Sequence, residues 1–119
     1  MDELIARIAA SIGIDPATAE KAVGLILRFL LQERPEPDVR KLIDSLPGAQ
    51  AAMEAAPDGG IGGMMPGVMG LGSQLMGLGL GMGEISGVSK ETMAFAREKA
   101  GPETVDKIVG AIPGLGQFV

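Results

Sequence analysis

No cysteine and no histidine occur in the chain, and neither do tryptophan or tyrosine. Without Cys there is no disulfide, no thiolate nucleophile and no Cys-ligated metal, and the redox state of the compartment leaves no mark on the sequence. Without His the commonest general base and the commonest metal ligand are both missing. Three Phe are the only aromatic residues, 3% of a composition that is 46% hydrophobic, so any core must be aliphatic, made of Leu, Ile, Val, Met and Ala. A basic excess is also lacking, the net charge being −5. Nucleic-acid binding relies on neutralising phosphates, and an anionic bilayer surface attracts cations, so neither partner is expected. At 119 residues the chain is long enough for one domain with a modest core.

Charge itself is missing from one long stretch. Between Asp58 and Glu84 nothing is ionisable, and residues 59–83 are almost entirely Gly, Met and Leu. Five of the eight methionines fall there: Met64, Met65, Met69, Met76 and Met82. Helical, charge-bearing sequence flanks this insert on both sides.

In the first arm, residues 1–57, Leu4, Ile5, Ile8, Ala9 and Ile12 recur at helical spacing, behind Asp2 and Glu3 at the dipole's positive end. Gly13 ends that helix, and Asp15-Pro16 starts the next with a capping residue and a proline suited to the first helical position. The second helix reaches about Glu33. Its residues 22–31 are apolar nearly all round, broken only by Gly24 and Arg28, which predicts a central, buried helix. A third helix, with Val39, Leu42, Ile43 and Leu46 on one face, is closed by Pro47-Gly48, and a short Ala-rich turn runs over 49–56. In the second arm, residues 85–119, Ser86 or Ser89 can cap a helix carrying Met93, Phe95, Ala96 and Ala100. A last helix, with Val105, Ile108, Val109 and Ile112 on one stripe, follows Gly101-Pro102 and ends at Pro113-Gly114. The fold class is therefore all-α: five to six short helices in one domain, 1–119, arranged as two similar hairpins around the insert.

The arms also resemble each other. Residues 41–48 align with 107–114 at a constant offset of 66, which places Val39 on Val105 and Phe29 on Phe95 without a gap. This pattern predicts an internal repeat of a helix–turn–helix unit ending in Pro-Gly.

Gly13-Ile14-Asp15, Ala19, Leu46-Pro47-Gly48-Ala49, Ala55-Ala56-Pro57 and Leu78-Gly79-Leu80 occur in an order that resembles the VcgC/VcgE-like family of small helical bacterial proteins. The resemblance spans most of the chain. It implies an all-helical fold and supplies no activity, because the shared positions are helix punctuation.

Three readings of the insert compete. A hydrated Gly linker would leave Met and Leu wet every second or third residue, an apolar patch prone to association. A continuous helix would carry eleven glycines. At roughly 0.8–1 kcal/mol each, these cost about 10 kcal/mol, as much as a small domain's net stability. A short helix near 73–78, held by partners, remains possible, and Ser73, Gly77 and Gly81 recur every fourth residue as a small-residue stripe. A membrane span has the length, but Gly, Pro66 and Gln74 dilute it and its flanks are acidic rather than basic. A compact, mostly irregular apolar plug between the arms is the preferred expectation. Met64, Met65, Met69, Leu71, Leu75, Met76, Leu78, Leu80 and Met82 then complete the core or, if some stay outside, form an interaction surface.

No catalytic constellation is present. Gly79, Gly81 and Gly83 lack the preceding strand and following Lys of a phosphate loop, and no window spaces oxygen ligands for a hard metal. Glu36 with Arg40 and Glu103 with Lys107 read as ordinary helix pairs, and Arg28 as a snorkelling cation. No enzyme activity, metal or cofactor is expected. The expected function is a protein-interaction or self-association module. The alternative is a carrier of an apolar small molecule or acyl chain held between helices. The acidic opening Met1-Asp2-Glu3 runs straight into an amphipathic helix rather than a basic, apolar leader, which suggests a cytoplasmic protein.

Overall fold

The computed structural model describes residues 2–33, 37–46, 48–56 and 67–112; of these, the side chains of Asp2, Glu33 and residues 67–69 are not described. Seven helices make up the described residues, with no strand: α1 (Asp2–Ile12), α2 (Pro16–Glu33), α3 (Pro37–Asp44), α4 (Ala49–Ala55), α5 (Gly67–Met76), α6 (Met82–Ala100) and α7 (Pro102–Ala111). The all-α expectation holds, and the additional helix is α5, inside the insert.

Helix α2 is central, as its all-round apolarity predicts: Ala22, Val23, Ile26, Leu27 and Leu30 are buried, and α1, α3, α4, α5 and α6 all pack on it. α4 approaches most closely because of Gly24. A Cβ there would overlap the Ala52 carbonyl oxygen and lie 2.6 Å from the Ala52 carbonyl carbon and 3.1 Å from the Ala56 Cβ. Only glycine lets the two backbones meet at that distance. Arg28, half-buried beside this contact, donates a long 3.4 Å hydrogen bond to the Ala56 carbonyl.

Joined with α5 of the insert, the second arm becomes α5–α7, whose helix boundaries reproduce those of α1–α3 66 residues earlier within a residue or two, through more of the chain than the sequence alignment reached. Pro16, the first residue of α2, corresponds to Met82, the first of α6, and α1 corresponds to α5 within a residue or two. Gly13 and Gly79 occupy the same place in the two turns, with φ of 83° and 91°, the left-handed region that glycine enters without a Cβ penalty. Burial matches too: Ala22 with Val88, Leu27 with Met93, Phe29 with Phe95, Val39 with Val105 and Leu42 with Ile108 are all buried.

The arms interlock rather than lie side by side. α1 packs on both α2 and α6, while its counterpart α5 packs on both α6 and α2; α2 touches α6, and α3 touches α7. Exchanging the arms swaps α1–α2 with α5–α6 and α1–α6 with α2–α5, and leaves α2–α6 and α3–α7 as they are. One aliphatic core therefore draws Leu4, Ile8, Leu27 and Leu42 from the first arm, and Leu71, Leu75, Met93 and Ile108 from the second. Phe95 closes one end of it: the Arg7 guanidinium lies 5.7 Å and the Lys99 ammonium 5.4 Å from its ring centroid. Arg7 also donates to Glu98 at 2.8 Å, tying α1 to the end of α6. This contact holds the Glu98 carboxyl below the usual carboxylate range, first through the hydrogen bond and then through Arg7's charge.

Two expectations about the insert are corrected. It is not mostly irregular where it is described, since residues 67–76 are helical. Three glycines in α5 cost about 3 kcal/mol relative to alanine. Burial of Leu71 and Leu75, to 2% and 0% exposure, contributes about 3–6 kcal/mol in return. Tertiary docking thus overrides propensity. The helix ends at Met76 rather than running over 73–78, so Ser73, Gly77 and Gly81 never share one helix face. Nor does α6 begin at Ser86 or Ser89. It begins at Met82, because Glu84 Oε1 reaches back to accept the Gly81 N–H at 2.9 Å, satisfying an orphan donor at the helix start. Residues 59–66, including Met64 and Met65, lie outside the described residues, as do Glu36 and the tail 113–119. No helix among the described residues is long and apolar enough to cross a membrane.

Candidate interaction surface

The turn between α5 and α6 is built from its backbone outward. Gly77 N–H donates to the Ser73 carbonyl at 3.0 Å, Leu78 N–H to Leu75 at 3.0 Å and Gly79 N–H to Met76 at 2.9 Å. The positive φ of Gly79 then turns the chain, Leu80 inserts into the core at 5% exposure, and Gly81 enters α6. With these polar groups satisfied internally, what the turn offers outward is apolar. Met76 is 54% exposed and Met82 71%, the exposed large hydrophobic side chains among the described residues. Leu78 lies half-buried between them, and Gly77, Gly79, Gly81 and Gly83 are exposed.

The residues proposed from sequence as one surface therefore separate by helix face. Leu71, Leu75 and Leu80 are buried and complete the core, one of the two expected outcomes for these residues. Met76 and Met82 stand outside, with Leu78 at the boundary. The side chains of Met64, Met65 and Met69 lie outside the described residues.

The first arm supplies an internal comparison that the sequence alone does not offer. In the α1–α2 turn, the positions matching Met76 and Met82 are Ala10 and Pro16, both exposed. The positions matching Gly77 and Gly81 are Ser11 and Asp15. Ile12 and Ile14 do the packing there, as Leu78 and Leu80 do here. Turns at matching positions, closed by different hydrogen bonds (Gly13 N–H to the Ala9 carbonyl, Gly79 N–H to the Met76 carbonyl), thus expose small, polar and charged residues in one arm and methionines and glycines in the other.

A second feature, missed from sequence, is a shallow recess of about 350 Å³ where α2, α3 and α4 meet. Leu31, Ile43 and Met53 line it together with Arg40, Asp44 and Gln50. Its counterpart in the second arm is bridged by charge: Arg97 stands in place of Leu31, Asp106 in place of Arg40, and the two pair at 3.1 Å. Among the described residues, the buried polar side chains are Ser89, Thr92 and Thr104. Thr92 donates to the Val88 carbonyl at 2.7 Å, whereas Ser89 Oγ has no hydrogen-bond partner among the described residues. Among the described residues, no three acidic side chains converge as a metal site would require.

Comparison with protein-family models, curated proteins and solved structures returned no match to this chain.

Proposed function

We propose that this protein is a non-enzymatic association module whose α5–α6 turn docks onto a second copy of the chain. The observation that carries this reading is the replacement of exposed Ala10 and Pro16 by Met76 and Met82 at matching positions of the two arms. In this reading the arms are a duplication of one three-helix unit, and the second unit's turn has been converted from a solvated cap into a contact surface. Methionine suits that use, being unbranched, polarisable and able to fit an irregular partner.

A second copy is the occupant that the charge pattern favours. In a twofold contact each patch meets itself, so a charged patch would set like charges against each other. The chain carries a net charge of −5, yet no ionisable residue lies between Asp58 and Glu84. Glu84 is turned back onto the Gly81 amide. The turn is where an acidic molecule can meet its copy without repulsion.

Complete burial of a Met is worth about 1.5–3 kcal/mol, so covering the exposed fractions of Met76 and Met82 gains about 2–4 kcal/mol per chain. Twice that is comparable with the cost of association, about 4–15 kcal/mol. The predicted dimer is accordingly weak and populated at high concentration. Light scattering after gel filtration, over a series rising to the order of 1 mM, should show the mass increasing toward the dimer. The double variant Met76→Ala, Met82→Pro carries the first arm's own residues and should remain monomeric with unchanged helicity. A wild-type chain that stays strictly monomeric throughout would end this reading.

The carrier alternative is supported by the apolar floor of the α2–α3–α4 recess. It predicts a co-purifying ligand in native mass spectra, displaced when Leu31 is replaced by Arg as in the second arm; repeated clean apo masses would count against it.

A further inference from the structure

We propose that Met76 and Met82 are a methionine-oxidation site, and that conversion of their thioethers to sulfoxides releases the contact they make. The inference rests on the self-association reading for its consequence, but the site itself rests on exposure and chemistry alone. The chain has no cysteine, so thioethers are its only oxidisable sulfur. Among the methionines whose side chains are described, Met93 is sealed in the core at 2% exposure and Met53 is half-buried, whereas Met76 and Met82 are 54% and 71% exposed. Exposed Gly77 follows Met76, and exposed Gly81 and Gly83 bracket Met82, residues with no side chain to cover a neighbouring thioether. The matching positions in the first arm, Ala10 and Pro16, carry no sulfur, so of the two matching turns only α5–α6 is open to the change.

The reaction balances with a peroxide alone. A sulfur lone pair attacks one peroxide oxygen; the O–O bond breaks as the S–O bond forms. Sulfur loses two electrons, and hydrogen peroxide is reduced to water. The product is a polar sulfoxide where an apolar side chain stood. An interface that buries it must desolvate that oxygen, and in the turn the Gly77, Leu78, Gly79 and Gly81 amides already donate to Ser73, Leu75, Met76 and Glu84. Reduction by a methionine sulfoxide reductase with a thiol donor reverses the change, forming a disulfide on the donor and water.

The test treats the intact protein with hydrogen peroxide, follows each methionine by peptide mass mapping and measures association by sedimentation. Met76 and Met82 should gain one oxygen each at least about tenfold faster than Met93. The dimer dissociation constant should then rise by at least about tenfold, and reductase treatment should restore it. A double Met76→Leu, Met82→Leu variant keeps the apolar surface without the sulfur, and should keep its association under peroxide. Oxidation of Met76 and Met82 no faster than Met93 would overturn the site. Unchanged association of the oxidised protein, or equal loss in the double Leu variant, would overturn the switch. If the untreated protein never associates, the self-association reading fails while the order of oxidation still decides the site.

Discussion

Replacing Gly24 with Ala should destabilise this protein even though alanine is the better helix former. In the interior of α2 the substitution favours the helix by about 0.8–1 kcal/mol. Against this, the added Cβ would overlap the Ala52 carbonyl oxygen and lie 2.6 Å from its carbon. Both atoms belong to the α4 backbone and cannot swing aside as a flexible side chain could. α4 must lift from α2, loosening Ala49, Ala52 and Ala56, which are 2%, 0% and 7% exposed. Three methyl groups at about 0.8 kcal/mol each put roughly 2 kcal/mol at risk, and overpacking of this kind costs about 1–3 kcal/mol. The clash outweighs the propensity, and a net loss of about 1–3 kcal/mol is expected. Gly110→Ala in α7 is the control, because a Cβ there meets nothing within 4 Å; it should gain up to about 1 kcal/mol. Urea denaturation of the three proteins, compared at constant slope, gives both numbers. A Gly24→Ala protein as stable as Gly110→Ala would refute the seating of α4 on α2.

Other perturbations probe the remaining contacts. Ser89→Ala removes a buried hydroxyl without a hydrogen-bond partner among the described residues, at the position matched by Val23 in the first arm, and should raise stability by about 1 kcal/mol in thermal melts. Val23→Ser, the reverse change, should lower it by about 1–3 kcal/mol. Glu98 titrates below its ordinary value of 4.5 in the folded protein, so its contribution is complete above that pH and is lost as pH falls through the lowered value. Melting temperatures of wild type and Glu98→Gln should therefore converge in acid; the pair is exposed, so the difference is small and about 0.5 M salt should mask it. The arms expressed as separate chains, 1–58 and 59–119, should each show little helical dichroism and recover it on mixing, because α1 packs on α6 and α5 on α2. Either arm folding fully alone would contradict the interlocked core.

Much of this architecture is legible in the residues, for identifiable reasons. The all-round apolar α2 and the stripes of α3 and α7 are strong local signals, and local structure and packing agree there. Where they disagree, the sequence misleads. α5 reads as coil because three of its ten residues are glycine, yet Leu71 and Leu75 fix it by docking. The start of α6 reads as Ser86 or Ser89, because a carboxylate three residues inside the helix closing on a glycine amide leaves a weaker trace than a serine cap. The likeness of the two arms is visible by residue identity from Phe29 onward. Its extension to α1 and α5 lies in helix boundaries and glycine dihedrals, which letters do not carry. In the candidate surface, Met76 and Leu75 look equivalent as apolar residues of one run. They are adjacent on a helix and so face opposite environments, one 54% exposed and the other fully buried. The Gly24 contact and the α2–α3–α4 recess depend on α4 returning to α2, a long-range pairing with no local signature.

The proposal that the α5–α6 turn contacts a second copy is tested most directly by amide NMR spectra over a dilution series. Concentration-dependent shifts confined to residues 76–83, led by the amides of Gly77, Gly79, Gly81 and Gly83, are the predicted result. Shifts centred on the charged face of α6 and α7, or spectra unchanged with concentration, would contradict it.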